Sequence, residues 1–182
     1  MKYSWHIHYA AHVVREGGVI AYPTEGVWGL GCDPWNPSAV QKLLALKSRP
    51  MAKGLIIVTG QQTHLDALLK PLPSHQLERL GESWPGPVTW VINDADNWMP
   101  SWVKGDFPSV AVRVSSHPLI QLLSDHLGHP LVSTSANPAG YVPAKNSLQV
   151  RRYFPKHLDF VLPGALGNRR QPSDIRVLES GI

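Results

Sequence analysis

Acidic residues are scarce in this chain: 13 Asp and Glu stand against 17 Lys and Arg among 182 residues, leaving a net charge of +4. So small an excess permits contact with nucleotides, phosphates or RNA without choosing among them. Cysteine is scarcer still. Cys32 stands alone, which excludes an internal disulfide and fits a reducing compartment, with a cytoplasmic location expected. No basic residue adjoins it to stabilise a thiolate, so it reads as a small core residue rather than a nucleophile. No apolar run approaches the ~18 residues of a membrane span; none is longer than Leu55-Ile56-Ile57-Val58. The start, Met1 to His6, lacks the apolar core of a secretory signal. Charged side chains make up only 16% of the chain and hydrophobic ones 43%, too little charge for disorder and enough apolar surface for one core. A soluble single domain over residues 1–182 is expected, with no membrane partner.

Several chemistries lack their motifs. There is no G-x-x-x-x-G-K-[ST], and no G-x-G-x-x-G after a strand, so neither common nucleotide-binding loop is present. G-x-S-x-G, H-E-x-x-H and C-x-x-C are absent too, which removes the usual serine hydrolase, zinc protease and thiol redox readings. His8 and His12 lie about one helical turn apart without an evident third ligand. They read as a solvated helix face, and no metal site is assigned.

What the sequence does contain is an alternation of helical and strand-like apolar patterns. Ile7, Ala10, Ala11 and Val14 mark a first helix that stops at Gly17-Gly18. Val19 to Tyr22 and Val27 to Cys32 read as strands about the polar turn Thr24-Glu25-Gly26. Ser38 can cap a helix carrying Val40, Leu43 and Leu44, with Pro50 limiting its far end. Leu55 to Val58 is a buried strand, and helices through Leu65 to Leu69 and Leu77 to Leu80 follow. Strands at Val88 to Ile92 and Val110 to Val114 enclose a polar loop, Asp94 to Asp106, which reads as a mobile flap. Pro118 opens a helix ended by Gly128, and Leu131-Val132 is the next strand. A helix near Ser147 to Phe154 and strands near Phe160 to Leu162 and Ile175 to Leu178 complete an α/β fold, a mixed sheet covered by helices. Ligands are expected in the loops at strand ends.

Three polar clusters interrupt those strand ends. Pro23-Thr24-Glu25-Gly26 offers a hydroxyl and a glycine that lets backbone approach a ligand, with a plain turn as the competing reading. Lys47-Ser48-Arg49 with Lys53 sets mobile point charges beside a planar fork, which suits a polyphosphate; a solvated helix end is the alternative. Ser133-Thr134-Ser135-Ala136-Asn137 presents three hydroxyls and an amide that can hold phosphate or sugar oxygens, or cap the next segment. Arg113, inside an apolar strand, requires an anionic partner: Glu25, Asp174 or a ligand carboxylate.

Taken in order, Tyr22-Pro23-Thr24-Glu25-Gly26-Val27-Trp28-Gly29-Leu30-Gly31, Lys47-Ser48-Arg49-Pro50, Lys53-Gly54-Leu55, Trp84-Pro85-Gly86-Pro87-Val88-Thr89, Ala111-Val112-Arg113 and Ser133-Thr134-Ser135-Ala136-Asn137 resemble the YrdC/Sua5 family, above all its short bacterial form. The resemblance covers nearly the whole chain. It implies a three-layer α+β fold whose twisted mixed sheet, flanked by helices, surrounds a concave basic cavity. It further implies a nucleotidyltransferase that turns L-threonine, bicarbonate and ATP into threonylcarbamoyl-AMP and pyrophosphate, with Mg²⁺ carried by the triphosphate. That product leads to N6-threonylcarbamoyladenosine at position 37 of tRNAs reading ANN codons, through partners of the TsaD, TsaB and TsaE type. By position in the family pattern, Lys47 and Arg49 are the implied catalytic residues; ATP is held by these with Lys53, Thr89, Ser135 and Asn137, and threonine by Thr24, Arg113, Ser133 and Ser173. Long-form members often carry a histidine where Val58 stands and continue into a second domain, so a lid is expected here from the Asp94 to Asp106 loop. Gly26 replaces a larger residue common in the family. The competing function is a non-catalytic module that contacts tRNA, ribosomal or double-stranded RNA through the same cavity. Carbamoyl transfer, as in hydrogenase maturation factors, ranks last because their zinc-finger and acylphosphatase segments are missing.

Overall fold

Strand periodicity decides this architecture, because alternate residues of each strand feed two different cores. The computed structural model describes residues 4–169 and 173–181. The Met1 to Tyr3 part of the signal reading, and Pro172 beside Ser173, lie outside them. The strands are β1 (Ile20–Pro23), β2 (Trp28–Gly31), β3 (Ile56–Thr59), β4 (Val88–Asn93), β5 (Ser109–Val114), β6 (Leu131–Ser135), β7 (Phe160–Val161) and β8 (Asp174–Val177). They form one sheet in the order β7-β1-β2-β6-β3-β5-β4-β8. The β7–β1, β3–β5 and β4–β8 pairs are parallel and the others antiparallel, so the sheet is mixed, as expected. The helices are α1 (Ser4–Arg15), α2 (Pro37–Lys47), α3 (Asp66–Leu69), α4 (Ser74–Gly81), α5 (Ser101–Lys104), α6 (Pro118–Leu127) and α7 (Ser147–Tyr153).

On one side of the sheet Ile20, Tyr22, Val58 and Leu131 pack against Ile7 and Val14 of α1 and Ile120 and Leu123 of α6. On the other, Ala21, Leu30, Ile57, Val112 and Val132 pack with residues of α2, α3, α4, α5 and α7. By the same alternation Gly29, Ile56, Thr89, Arg113, Ser133 and Ser135 project to the α1 and α6 side. No residue of those two helices lines the space over Gly29, Arg113, Ser133 and Ser135. The uncovered patch of sheet is the floor of a cavity.

Two local expectations are corrected. The cap of α2 is Asn36, whose Oδ1 accepts from Ala39 N at 3.1 Å with Pro37 in the first turn; Ser38 lies inside the helix. Asn36 wins because Pro37 is preorganised for the first helical position, which puts the cap just before it. The Asp94 to Asp106 segment is no loose flap. It contains α5 and buries Met99 and Val103, and Asp94 accepts from Trp98 N and Met99 N while pairing with Lys104 at 3.0 Å. With both charges buried and paired, opening the segment would expose that pair and its apolar neighbours together.

Candidate active site

The cavity over the bare sheet encloses about 310 Å³, within the range of small-molecule sites. Its wall is the turn between β1 and β2. There Thr24 spends both donors on one acceptor, Oγ1 at 2.8 Å and N at 3.2 Å from Val27 O, which closes the turn tightly. The chain after β7 runs alongside and fixes it: Gly167 N donates to Thr24 O and Arg169 N to Glu25 O. Close packing of β2 against β1 and β6 accounts for Gly31. A Cβ on Gly31 would lie 2.5 Å from Val132 O and 2.7 Å from the Tyr22 ring, so only glycine lets β2 approach β6 here.

Arg113 meets its anion inside the protein. Its Nη1 is 3.0 Å from Glu25 Oε2, with both side chains largely buried, and Ser115 Oγ donates to Glu25 Oε1 at 2.6 Å. His117 N donates to that Ser115 oxygen. The His117 ring accepts from Leu119 N through Nδ1, which leaves its proton on Nε2 facing Ala165 O at 3.1 Å. Burial lowers the His117 pKa, so the ring is neutral near pH 7. Arg49 differs. It reaches the cavity because Ser48, in the left-handed conformation at φ 50°, ends α2, and its guanidinium donates to the carbonyls of Gly54 and Lys53. A second recess of about 240 Å³ adjoins the first across Arg49, Leu55, Ile56 and Ile175, and holds Lys53 and Lys104.

Residues 12–181 match the family described as Sua5, YciO and YrdC, telomere recombination. The chain belongs to the Sua5/YciO/YrdC family. Threonylcarbamoyl-AMP synthase of Pseudomonas paraeruginosa is 60% identical over 172 residues, covering 94% of this chain and 92% of that protein. The enzyme of the same name from Pseudomonas aeruginosa is 59% identical over the same shares. P. abyssi Sua5, solved in complex with L-threonine, superposes with a TM-score of 0.89 at 29% identity; 96% of this chain is covered, and the chain spans about half, 51%, of that one.

Of the residues the Sua5/YciO/YrdC pattern marks, Thr24, Arg49, Arg113, Ser133, Ser135 and Ser173 line the main cavity together. Lys53 sits in the adjoining recess. Lys47 is buried and donates from Nζ to the carbonyls of Ser135 and Asn137, bracing the turn after β6 from behind. Burial, and then the charge of Arg49, lower its pKa to about 8. Thr89 is fully buried, its hydroxyl 2.9 Å from that of Ser173, and it does not line the cavity itself. The Asn137 amide donates to Pro138 O and Tyr141 O, holding the loop beyond β6. Arg169, on the cavity wall and 3.1 Å from Asp174, was not anticipated. Its signal was the basic pair Arg169-Arg170 shortly before the Ser173 motif. Cys32 is buried in the core, as expected, and burial raises its pKa. His8 packs edge-on against His126, ring centroids 4.4 Å apart. Among the described residues no group of three or more His, Cys, Asp and Glu is placed to hold a metal ion, and no helix is long and apolar enough to cross a membrane.

Proposed function

We propose that this chain is a threonylcarbamoyl-AMP synthase. The observation that carries the reading is that Arg113, paired with Glu25, and Arg49, without a carboxylate partner among the described residues, line one small cavity together with the serine residues Ser133, Ser135 and Ser173. Relatives at 59–60% identity bearing that name support it. Threonine's amine condenses with bicarbonate, releasing water, to give a carbamate. A carbamate oxygen then attacks the α-phosphorus of MgATP, and the bond to the β,γ-pyrophosphate breaks. Charge builds on the phosphoryl oxygens, so fixed cations and donors supply the catalysis rather than a covalent nucleophile.

In this reading threonine lies between Thr24, Ser133 and Ser173 with its carboxylate on Arg113. Arg49 and Lys53 meet the phosphates across the two adjoining recesses. Lys47 has three donors, two of them committed to backbone carbonyls, and turns the third toward a phosphate while keeping Ser135 and Asn137 in place. Mg²⁺ arrives with the triphosphate. The reaction is carried by one domain, residues 1–182, in the cytoplasm, and its product serves the t6A37 modification of ANN-reading tRNA through partners of the TsaD, TsaB and TsaE type. Purified protein given MgATP, bicarbonate and L-threonine should release pyrophosphate, Arg113→Ala should raise the KM for threonine far more than that for ATP, and omitting threonine should stop release. Equal release without an amino acid would sink the assignment.

A further inference from the structure

Of the three arginines lining the cavity, Arg113 and Arg169 are paired with carboxylates and Arg49 is not. Arg49 donates only to carbonyls, and among the described residues no carboxylate lies within ion-pair distance of it. The charge of Arg113 is already cancelled by Glu25, 3.0 Å away. Glu25 is also held from behind by Ser115, so it cannot swing off without losing a 2.6 Å hydrogen bond. Its Oε2 is buried and accepts no aligned hydrogen bond, which leaves it capacity for a donor.

A phosphate or a bare carboxylate placed on Arg113 would sit beside Glu25 as a like charge. Juxtaposed like charges exclude wrong partners. An α-amino acid brings its own compensation, because its carboxylate pairs with Arg113 while its ammonium answers Glu25, and the four charges sum to zero. We propose that Glu25 is a specificity-determining residue: it reserves Arg113 for a zwitterionic amino acid, turns phosphates and simple carboxylates away, and leaves Arg49 to the nucleotide. This rests on the reading that the cavity takes threonine.

The test is calorimetric binding to the intact chain without ATP, comparing L-threonine with 3-hydroxybutyrate, which keeps the carboxylate and hydroxyl but lacks the amine. The wild-type protein should prefer threonine by roughly tenfold or more. Glu25→Gln, which keeps an acceptor for Ser115, should erase most of that preference and let inorganic pyrophosphate compete with threonine. An unchanged ratio in Glu25→Gln overturns the proposal. If that variant fails to fold, the wild-type ratio decides, since equal affinity for the two ligands overturns it as well. A wild-type protein that binds no threonine at all instead removes the functional reading beneath it.

Discussion

Lys47 shows how one residue can be both a brace and a titratable cation. Its ammonium is surrounded by protein and lies near Arg49, so its pKa falls to about 8, against 10.5 for the free side chain. Between those values the unfolded chain holds the proton and the folded one does not. The burial cost is therefore fully present below about pH 8 and is relieved as pH rises toward 10.5. Binding runs the other way, because a triphosphate favours the charged form. Affinity for ATP should decline as pH rises through about 8, and Lys47→Met should flatten the ATP profile. A wild-type ATP profile flat from pH 7 to 9 would exclude Lys47 from phosphate contact.

At the scale of elements, the segment between β4 and β5 is decided by a buried ion pair. Asp94 and Lys104 are almost wholly enclosed, 1% and 6% exposed at their side chains, and Asp94 also accepts two backbone amides. Removing one partner strands a buried charge, at a cost of about 3–5 kcal/mol. Asp94→Ala should therefore lower the unfolding free energy by about that amount, and adding Lys104→Met should recover part of it. Equal stability of wild type and Asp94→Ala in urea titrations would show that the segment is free after all. The pair also bears on the site, since Lys104 lines the recess that holds Lys53.

For the whole molecule, cavity size arbitrates between a small-molecule enzyme and an RNA-binding module. A space of about 310 Å³ with an annex of about 240 Å³ admits a nucleotide and an amino acid. A nucleic acid duplex, with grooves many ångströms across, has to bind elsewhere. A net charge of +4 gives only weak, salt-sensitive affinity for a phosphate backbone. MgATP with threonine should raise the melting temperature, by up to ~2.7 kcal/mol of stability at a hundred times Kd, while double-stranded RNA at 0.15 M salt should not. The opposite pattern would favour the RNA module.

Local sequence determined which stretches became elements and which sites were polar. The 3.6-residue spacing of Ile7, Ala10, Ala11 and Val14, the Pro118 start and Gly128 stop of α6, and the serine-rich end of β6 act within a few residues, so they can be read without the fold. Strand ends shifted by a residue or two, as at β2 and β8, because pairing partners rather than propensity end a strand. Tertiary structure alone decided that α1 and α6 leave part of their sheet face bare, and that Arg113 takes Glu25 rather than Asp174. It also set Lys47 against Ser135 and Asn137. These pairings join residues some ninety positions apart, and only the register of β2, β3, β5 and β6 brings them within a few ångströms.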